Sequence, residues 1–236
     1  MMSSEYNWNY PILPQKYAHL GMVGNQAHIP RGKMFGGSGS LNSMNYYREN
    51  EDYFKLWTDI TGVPNWKWSD VWPFFMKSEN NLDADIVAKN PEFHTTGGLF
   101  SVTTAEVDPI LKEYLFASKE AGIPQTYADG REPFGSTVMQ KTIRDGVRQS
   151  TSLGFLEARN QPNLHMMGRS YVTKIHFNEQ KRAVGLEFYK HDILFSVKVR
   201  KEIILSGGSI ENPKLLMNSG IGPADHLQEM GIPLIS

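Results

Sequence analysis

The residues best suited to chemistry lie in one run, Pro30-Arg31-Gly32-Lys33-Met34-Phe35-Gly36-Gly37-Ser38-Gly39-Ser40-Leu41-Asn42-Ser43-Met44-Asn45-Tyr46. Glycines permit positive φ and close approach, so such a loop presents bare backbone amides to an anion or to the electron-rich edge of a ring. Spacing alone equally allows a turn or a flexible linker. The Gly36 to Ser40 stretch is not followed by the Lys-Ser or Lys-Thr with which a P-loop holds phosphate and metal.

A second run, Glu202 to Gly222, reads as a short apolar strand, a small-residue turn at Ser206-Gly207-Gly208, and a helix. Asn212 is expected as N-cap, Pro213 at the first helical position, and Gly220 or Gly222 as the left-handed terminator. Strand, glycine turn and helix is the phosphate-side geometry of dinucleotide folds, though any α/β domain contains such connections.

Together these runs resemble the two signature regions of the glucose-methanol-choline (GMC) oxidoreductases, flavoenzymes that oxidise CH–OH donors with FAD. The resemblance rests on Arg31-Gly32-Lys33 before the double glycine, Leu41-Asn42 after it, and Ser219-Gly220-Ile221-Gly222-Pro223-Ala224-Asp225-His226-Leu227 later. It is extended by Arg148-Gln149-Ser150-Thr151, Phe155-Leu156 and Asn163-Leu164. Phe35, Gly39, Glu49, Gly208 and Asn212 depart from the family's usual residues.

The resemblance implies an α/β fold: part of an FAD-binding, Rossmann-like dinucleotide domain (residues 1–90 and 148–236) interleaved with part of an α+β substrate domain (91–147). It implies cofactor contacts at Phe35, Gly36, Gly37, Ser38, Asn42, Met44, Val172 and Ser206, with Gly36 to Asn42 lining the flavin side and the Val172 backbone meeting the adenine end. Backbone amides in the loop would then stabilise the charge that develops near N1 and O2 on reduction. The implied chemistry is removal of a hydroxyl proton by a base, with hydride transfer from the carbinol carbon to flavin N5.

No G-x-G-x-x-G occurs in the chain, and none of its seven histidines matches the family's catalytic positions, so no catalytic residue and no metal ligand is assigned. The expectation is the middle portion of a larger enzyme, poorly soluble and inactive by itself, with folding and FAD binding of the isolated chain left open. A truncated non-catalytic chain that binds flavin or a partner, and an unrelated nucleotide-binding module, stay open as alternatives.

Composition fits a globular protein. The 236 residues are 40% hydrophobic and 21% charged with a net charge of −1, which gives no basic footprint for nucleic acid. No apolar run reaches the roughly 20 residues that span a bilayer, and the first residues lack a secretory pattern. There is no cysteine, hence no disulfide or thiolate metal site. The specific alcohol, the electron acceptor, the compartment and the oligomeric state are left open.

The elements that must position these runs are partly legible. Asn50 should cap a helix carrying Tyr53, Leu56, Trp57 and Ile60 that Gly62 and Pro64 stop. Ser69-Asp70 should open another, with Pro73 in its first turn and Trp72, Phe75 and Met76 on its buried side. The tryptophans at 57, 66, 68 and 72 are read as helix-packing residues in preference to an aromatic ligand box. Residues 89–104 read as loop and strand, and Asp108-Pro109 as the start of a helix ended by Gly122. His94 in that loop is open to two readings, a ligand contact or a solvated or backbone-bonded side chain. Phe134 to Gln140 reads as a strand. Tyr171 to Phe177 and Ala183 to Tyr189 alternate around Asn178-Glu179-Gln180-Lys181 as a hairpin, Ile193 to Val199 follows as a third strand, and Glu202 to Leu205 reads as a buried central strand.

Overall fold

The computed structural model describes residues 5–104, 106–127, 129, 134–157 and 162–236. It divides into two units, residues 1–162 and residues 163–236, each with its own packing.

The first unit opens with the short antiparallel pair β1 (Tyr10–Pro11) and β2 (His28–Ile29). A tight 3-10 turn at Gly37–Ser40 follows, then β3 (Asn45–Tyr46). Helix α1 (Glu51–Thr61) starts where expected, because the Asn50 side chain accepts from the Tyr53 N–H at 3.0 Å, and it stops at Gly62, which is left-handed with φ 67°. Its buried residue is Phe54; Tyr53, Leu56, Trp57 and Ile60 are exposed, so the expected apolar face is rotated by about one residue.

Helix α2 (Trp68–Ser78) begins ahead of Ser69, which puts Pro73 at its sixth residue and outside the first turn. Trp72, Phe75 and Met76 are half-buried as expected. Trp68 stacks on Trp72 with ring centroids 4.1 Å apart, and Phe54 meets Trp68 at 5.6 Å and Phe75 at 6.1 Å. Helix–helix packing therefore accounts for Trp68, whereas Trp72 packs on Phe93 at 5.5 Å and donates to the Glu92 carbonyl at 3.3 Å, and Trp57 and Trp66 are about half exposed.

Beyond α2 come β4 (Glu79–Asn81), α3 (Ala84–Lys89), β5 (Phe100–Thr104) and α4 (Pro109–Glu120). Helix α4 is capped by Asp108, whose carboxylate accepts from the Ile110 N–H at 2.8 Å, and is closed by left-handed Gly122. With β6 (Gln140–Lys141) the strands form a sheet of order β3-β6-β5-β4, in which only β4–β5 is parallel. Val102 on β5 is fully buried. The strand expected over Phe134 to Gln140 is not continuous: Ser136 makes an isolated bridge to Gln125 and pairing resumes at Gln140. Beside the bridge, the Ser136 N–H donates to the Pro124 carbonyl at 2.8 Å and the Ser136 carbonyl accepts from the Thr126 N–H at 3.0 Å, and a Cβ on Gly135 would strike Thr126.

A hairpin of β7 (Ile143–Arg144) and β8 (Val147–Arg148) follows. Its two-residue loop, Asp145-Gly146, has positive φ at both positions, 51° and 73°, as the right-handed twist of a tight hairpin demands. A π-helical turn spans Ser152–Glu157.

The second unit is an antiparallel meander of β9 (Tyr171–Phe177), β10 (Ala183–Lys190) and β11 (Ile193–Lys198), in the order β11-β10-β9. This is the predicted hairpin with its third strand. Glu202 to Leu205 joins no ladder among the described residues, and Ile204 is 78% exposed, so the expected central strand is absent from this unit. A strand needs a neighbouring edge for its N–H and C=O groups, and none in this unit is aligned with it.

Helix α5 (Gly208–Asn218) starts four residues before Asn212, placing Pro213 in its interior instead of at its start. The Asn212 side chain instead accepts from the Gly207 N–H at 2.8 Å and donates to the Leu205 carbonyl at 3.4 Å, bracing the turn from inside the helix. Of the two terminators proposed, Gly220 has the left-handed φ, 90°. Helix α5 packs on β9, where Ser219 Oγ accepts from the Ile175 N–H at 2.8 Å and donates to the Leu215 carbonyl at 2.6 Å. Helix α6 (Ala224–Glu229) buries Leu227 completely.

Candidate functional site

In the glycine run two glycines serve the fold and two face outward. A Cβ on Gly32 would strike the Gly37 carbonyl, and one on Gly36 (φ 82°) would strike Ser40 Oγ and come within 3.0 Å of Ser150 Oγ. Those positions need glycine for internal packing. At Gly37 and Gly39 nothing lies within 4 Å of a Cβ, so there the bare backbone borders open space. This is the surface a flat ring could approach without meeting side chains.

The loop is tightly wound. The amides of Gly37, Gly39, Leu41 and Asn42 donate to the carbonyls of Met34, Gly36, Ser38 and Ser38, at 2.8–3.1 Å. These four therefore serve the turn itself, which narrows the expectation that the loop's amides as a set face a ligand. Ser38 Oγ accepts from the Gly32 N–H at 3.2 Å, and Ser40 Oγ donates to the Phe35 carbonyl at 2.9 Å. Asn42 Oδ1 accepts from the Met44 N–H at 3.0 Å and from Arg148 Nη1 at 2.8 Å; the same Nη1 reaches the Gly39 carbonyl at 3.2 Å. Met44 has φ 63°, a conformation that non-glycine residues adopt rarely.

Phe35, Gly36, Gly37, Ser38, Asn42 and Met44 thus lie along one wound loop of the first unit, with Phe35 half exposed. Val172 and Ser206 belong to the second unit. Val172 is half-buried in β9, opposite Phe188 beside a register shift in β10, and Ser206 is exposed just before α5. Within that unit, Tyr171 next to Val172 is tied to α5: Lys214 Nζ donates to Tyr171 Oη at 2.8 Å and Tyr171 Oη donates to Glu211 Oε2 at 3.3 Å.

The first unit also holds a buried polar cluster that the sequence did not announce. Its centre is His94, 4% exposed, which is neither solvated nor bonded chiefly to backbone. His94 Nδ1 lies 2.9 Å from Glu79 Oε1, and Nε2 lies 3.5 Å from Asp129 Oδ2. Arg48 Nη1 is 3.6 Å from Glu79 Oε2, both side chains fully buried, and its guanidinium lies 4.5 Å from the centre of the Trp72 ring. Glu79 Oε2 also accepts from the Thr95 N–H at 3.1 Å.

Asn81 Nδ2 spends its two hydrogens on Glu79 Oε1 and Gln140 Oε1, each at 3.0 Å, and Arg48 Nη2 donates to the Phe93 carbonyl. His94 Nδ1 also lies 3.1 Å from Arg48 Nη2 and 3.2 Å from Asn81 Nδ2, so donors and the Glu79 carboxylate crowd one ring nitrogen while Nε2 faces Asp129. Burial pulls the His94 pKa down, but the hydrogen bonds to Asp129 and Glu79 and the Glu79 charge outweigh it and raise the pKa. Burial pushes Glu79 up, but the His94 hydrogen bond and the Arg48 charge hold it below the usual carboxylate range. Burial raises Tyr46 nearby to about 12. Asp83 accepts from Thr104 and Gln140; burial raises its pKa but these bonds lower it further.

The cluster was missed because its members are far apart in sequence, yet Glu79, Asn81 and Asp83 at every second position mark one polar face of an extended segment. Arg148 was seen only as part of a motif; the Asp145-Gly146 hairpin signal would have placed it. A cavity of about 440 Å³ adjoins the cluster, lined by Tyr46, His94, Thr104, Tyr127, Ser136 and Gln140 among others. Among the described residues no group of three or more His, Cys, Asp or Glu could hold a metal, and no helix is long and apolar enough to cross a membrane.

A wound glycine loop with an open backbone face, in a mixed α/β chain, is compatible with a nucleotide-cofactor class of protein. The family model for GMC oxidoreductase matches residues 13–235, and the chain belongs to that family. Glucose dehydrogenase [FAD, quinone] of Drosophila pseudoobscura pseudoobscura is 34% identical over 235 residues, covering 98% of this chain and 37% of the relative. Ecdysone oxidase of Bombyx mori is 36% identical over 242 residues, covering 100% and 36%. Oxygen-dependent choline dehydrogenase of Yersinia pseudotuberculosis serotype IB is 35% identical, covering 100% and 41%. Among solved structures, pyridoxine 4-oxidase from Mesorbium loti superposes with a TM-score of 0.86 at 28% identity, covering 98% of this chain and 44% of that one. An FAD-dependent oxidoreductase from Chaetomium thermophilum gives 0.84 at 25% identity, covering 98% and 41%. The chain thus spans about two fifths of the length of these relatives.

Proposed function

We propose that this chain binds FAD and works as part of an oxidoreductase acting on the CH–OH group of an alcohol, sugar or choline-like donor. The observation that carries the reading is the GMC match across residues 13–235 together with the open backbone at Gly37 and Gly39 in the family's signature loop. When bound, FAD supplies the hydride acceptor for the oxidation.

The proposed FAD contacts are Phe35, Gly36, Gly37, Ser38, Asn42 and Met44 along the loop, with Val172 and Ser206 from the second unit. The loop's task is to present backbone and small polar groups in a fixed arrangement so that the ring is held without reorganisation. Residues 1–90 and 148–236 are assigned to the FAD domain and 91–147 to the substrate domain. No residue of the chain is assigned as catalytic base. His94 is engaged on both ring nitrogens by Glu79 and Asp129, which suits it to hold structure.

The test is the visible absorption spectrum of the protein purified from its native source, with the flavin released by denaturation and identified by chromatography. FAD, bleached by an alcohol under anaerobic conditions, supports the reading. Protein that purifies folded, without flavin and without taking up added FAD, refutes it.

A further inference from the structure

The glycine run is wound by its own turn bonds, but its glycines lose much conformational entropy on ordering and Met44 sits at φ 63°, so the loop gains from outside support. That outside support comes from a segment about a hundred residues later. The Asp145-Gly146 turn fixes the register of the β7–β8 hairpin so that Arg148 stands opposite Ile143. The pairing continues one step outward, where the Gln149 N–H donates to the Thr142 carbonyl at 2.8 Å. Thr142 in turn donates from its own N–H to the Met44 carbonyl at 2.8 Å. The hairpin is therefore tied to the end of the loop, and its register delivers Arg148 Nη1 to two acceptors three residues apart, the Gly39 carbonyl and Asn42 Oδ1. Ser150, 4% exposed, closes the same side beneath Gly36.

We propose that Arg148 is the positioning residue of the FAD loop, the group that holds Gly39 to Met44 in its receiving shape before the cofactor arrives. This rests on the proposed function for its biological meaning, but the clamp is a property of the loop alone. Asn42 Oδ1 is shared between Arg148 and the Met44 N–H. Removing the guanidinium leaves the Gly39 carbonyl without this donor and Asn42 free to rotate away from Met44. A clamp set before binding spares FAD the ordering of the loop.

The test is a double-mutant cycle on Arg148→Met and Asn42→Leu, read by amide hydrogen exchange in the protein without flavin. Arg148→Met is expected to speed exchange at Leu41, Asn42 and Met44 about tenfold, the worth of one charge-assisted hydrogen bond. Exchange at Ile175 and Phe188 in the second unit should not change. The double variant should loosen the loop by less than the sum of the two singles, because they share the Arg148–Asn42 link while each also loses one bond of its own, to the Gly39 carbonyl or from the Met44 N–H. Should Arg148→Met not fold, Arg148→Lys, which keeps the charge and is expected to loosen the loop in part, completes the cycle. Unchanged loop exchange, or strictly additive effects, overturns the clamp whatever the protein does with FAD. Loosening of the loop in a protein that takes up no FAD sustains the clamp and refutes the flavin reading instead.

Discussion

Replacing Glu79 by Gln removes one charge from the buried cluster at nearly constant volume. In the parent, Arg48 and His94 both face Glu79, with Glu79 and Arg48 fully buried and Asp129 on the far ring nitrogen of His94. In Glu79→Gln, buried Arg48 loses its carboxylate partner, and the new amide must turn one N–H toward Arg48 or His94. Breaking a buried pair from one side costs about 3–5 kcal/mol. Because His94 can shed its proton once its Glu79 partner is neutral, the lower end, about 3 kcal/mol, is expected. The pH profile carries a second signature. The folded pKa of Glu79 lies below its ordinary 4.5, so its contribution is full above that value and is lost as pH falls through the folded pKa. The folded pKa of His94 lies above its ordinary 6.5, so its contribution is full below that value and is lost as pH rises through the folded pKa. Glu79→Gln should shrink the acid limb to the share that Asp83 keeps and bring the alkaline limb to lower pH. Urea unfolding followed by tryptophan fluorescence reads both, since Trp72 lies on Arg48. A loss under about 1 kcal/mol, or an acid limb of unchanged size, would refute this account of the cluster.

Further outcomes follow from other sites. Gly32→Ala should destabilise the first unit by about 2 kcal/mol, measured by urea unfolding, because its Cβ meets the Gly37 backbone; it should also abolish FAD uptake. Ser219→Ala leaves the buried Ile175 N–H without its acceptor and should cost about 1–3 kcal/mol, with faster amide exchange at Ile175. Leu227→Ala empties a fully buried position and should lower the stability of the second unit by about 2–5 kcal/mol in thermal unfolding.

Local rules that act through neighbours were readable in the residues. Asn50 and Asp108 cap their helices, Gly62 and Gly122 end them, and the alternation around Asn178 to Lys181 builds the β9–β10 hairpin. The glycine run and the family it signals were legible for the same reason, being local and contiguous. Errors arose where tertiary contacts overrule local preference. Pro213 sits inside α5, where Asn212 braces Gly207 from within the helix, and Ser136 pairs with the 124–126 segment instead of extending the strand that resumes at Gln140. His94 was ambiguous because its partners, Glu79 and Asp129, lie 15 and 35 residues away in opposite directions. Long-range clamps such as Arg148 on Asn42 have no sequence signal beyond the turn that sets their register.

The central claim is that the loop from Gly36 to Met44 receives FAD, and flavin stoichiometry tests it most directly. Protein purified from its native source should carry FAD, and the same protein with Gly39→Val, which places a side chain on the loop's open face without a left-handed backbone to oppose it, should carry little while its far-ultraviolet circular dichroism is kept. Equal FAD content in parent and Gly39→Val, or none in the folded parent, would contradict the account.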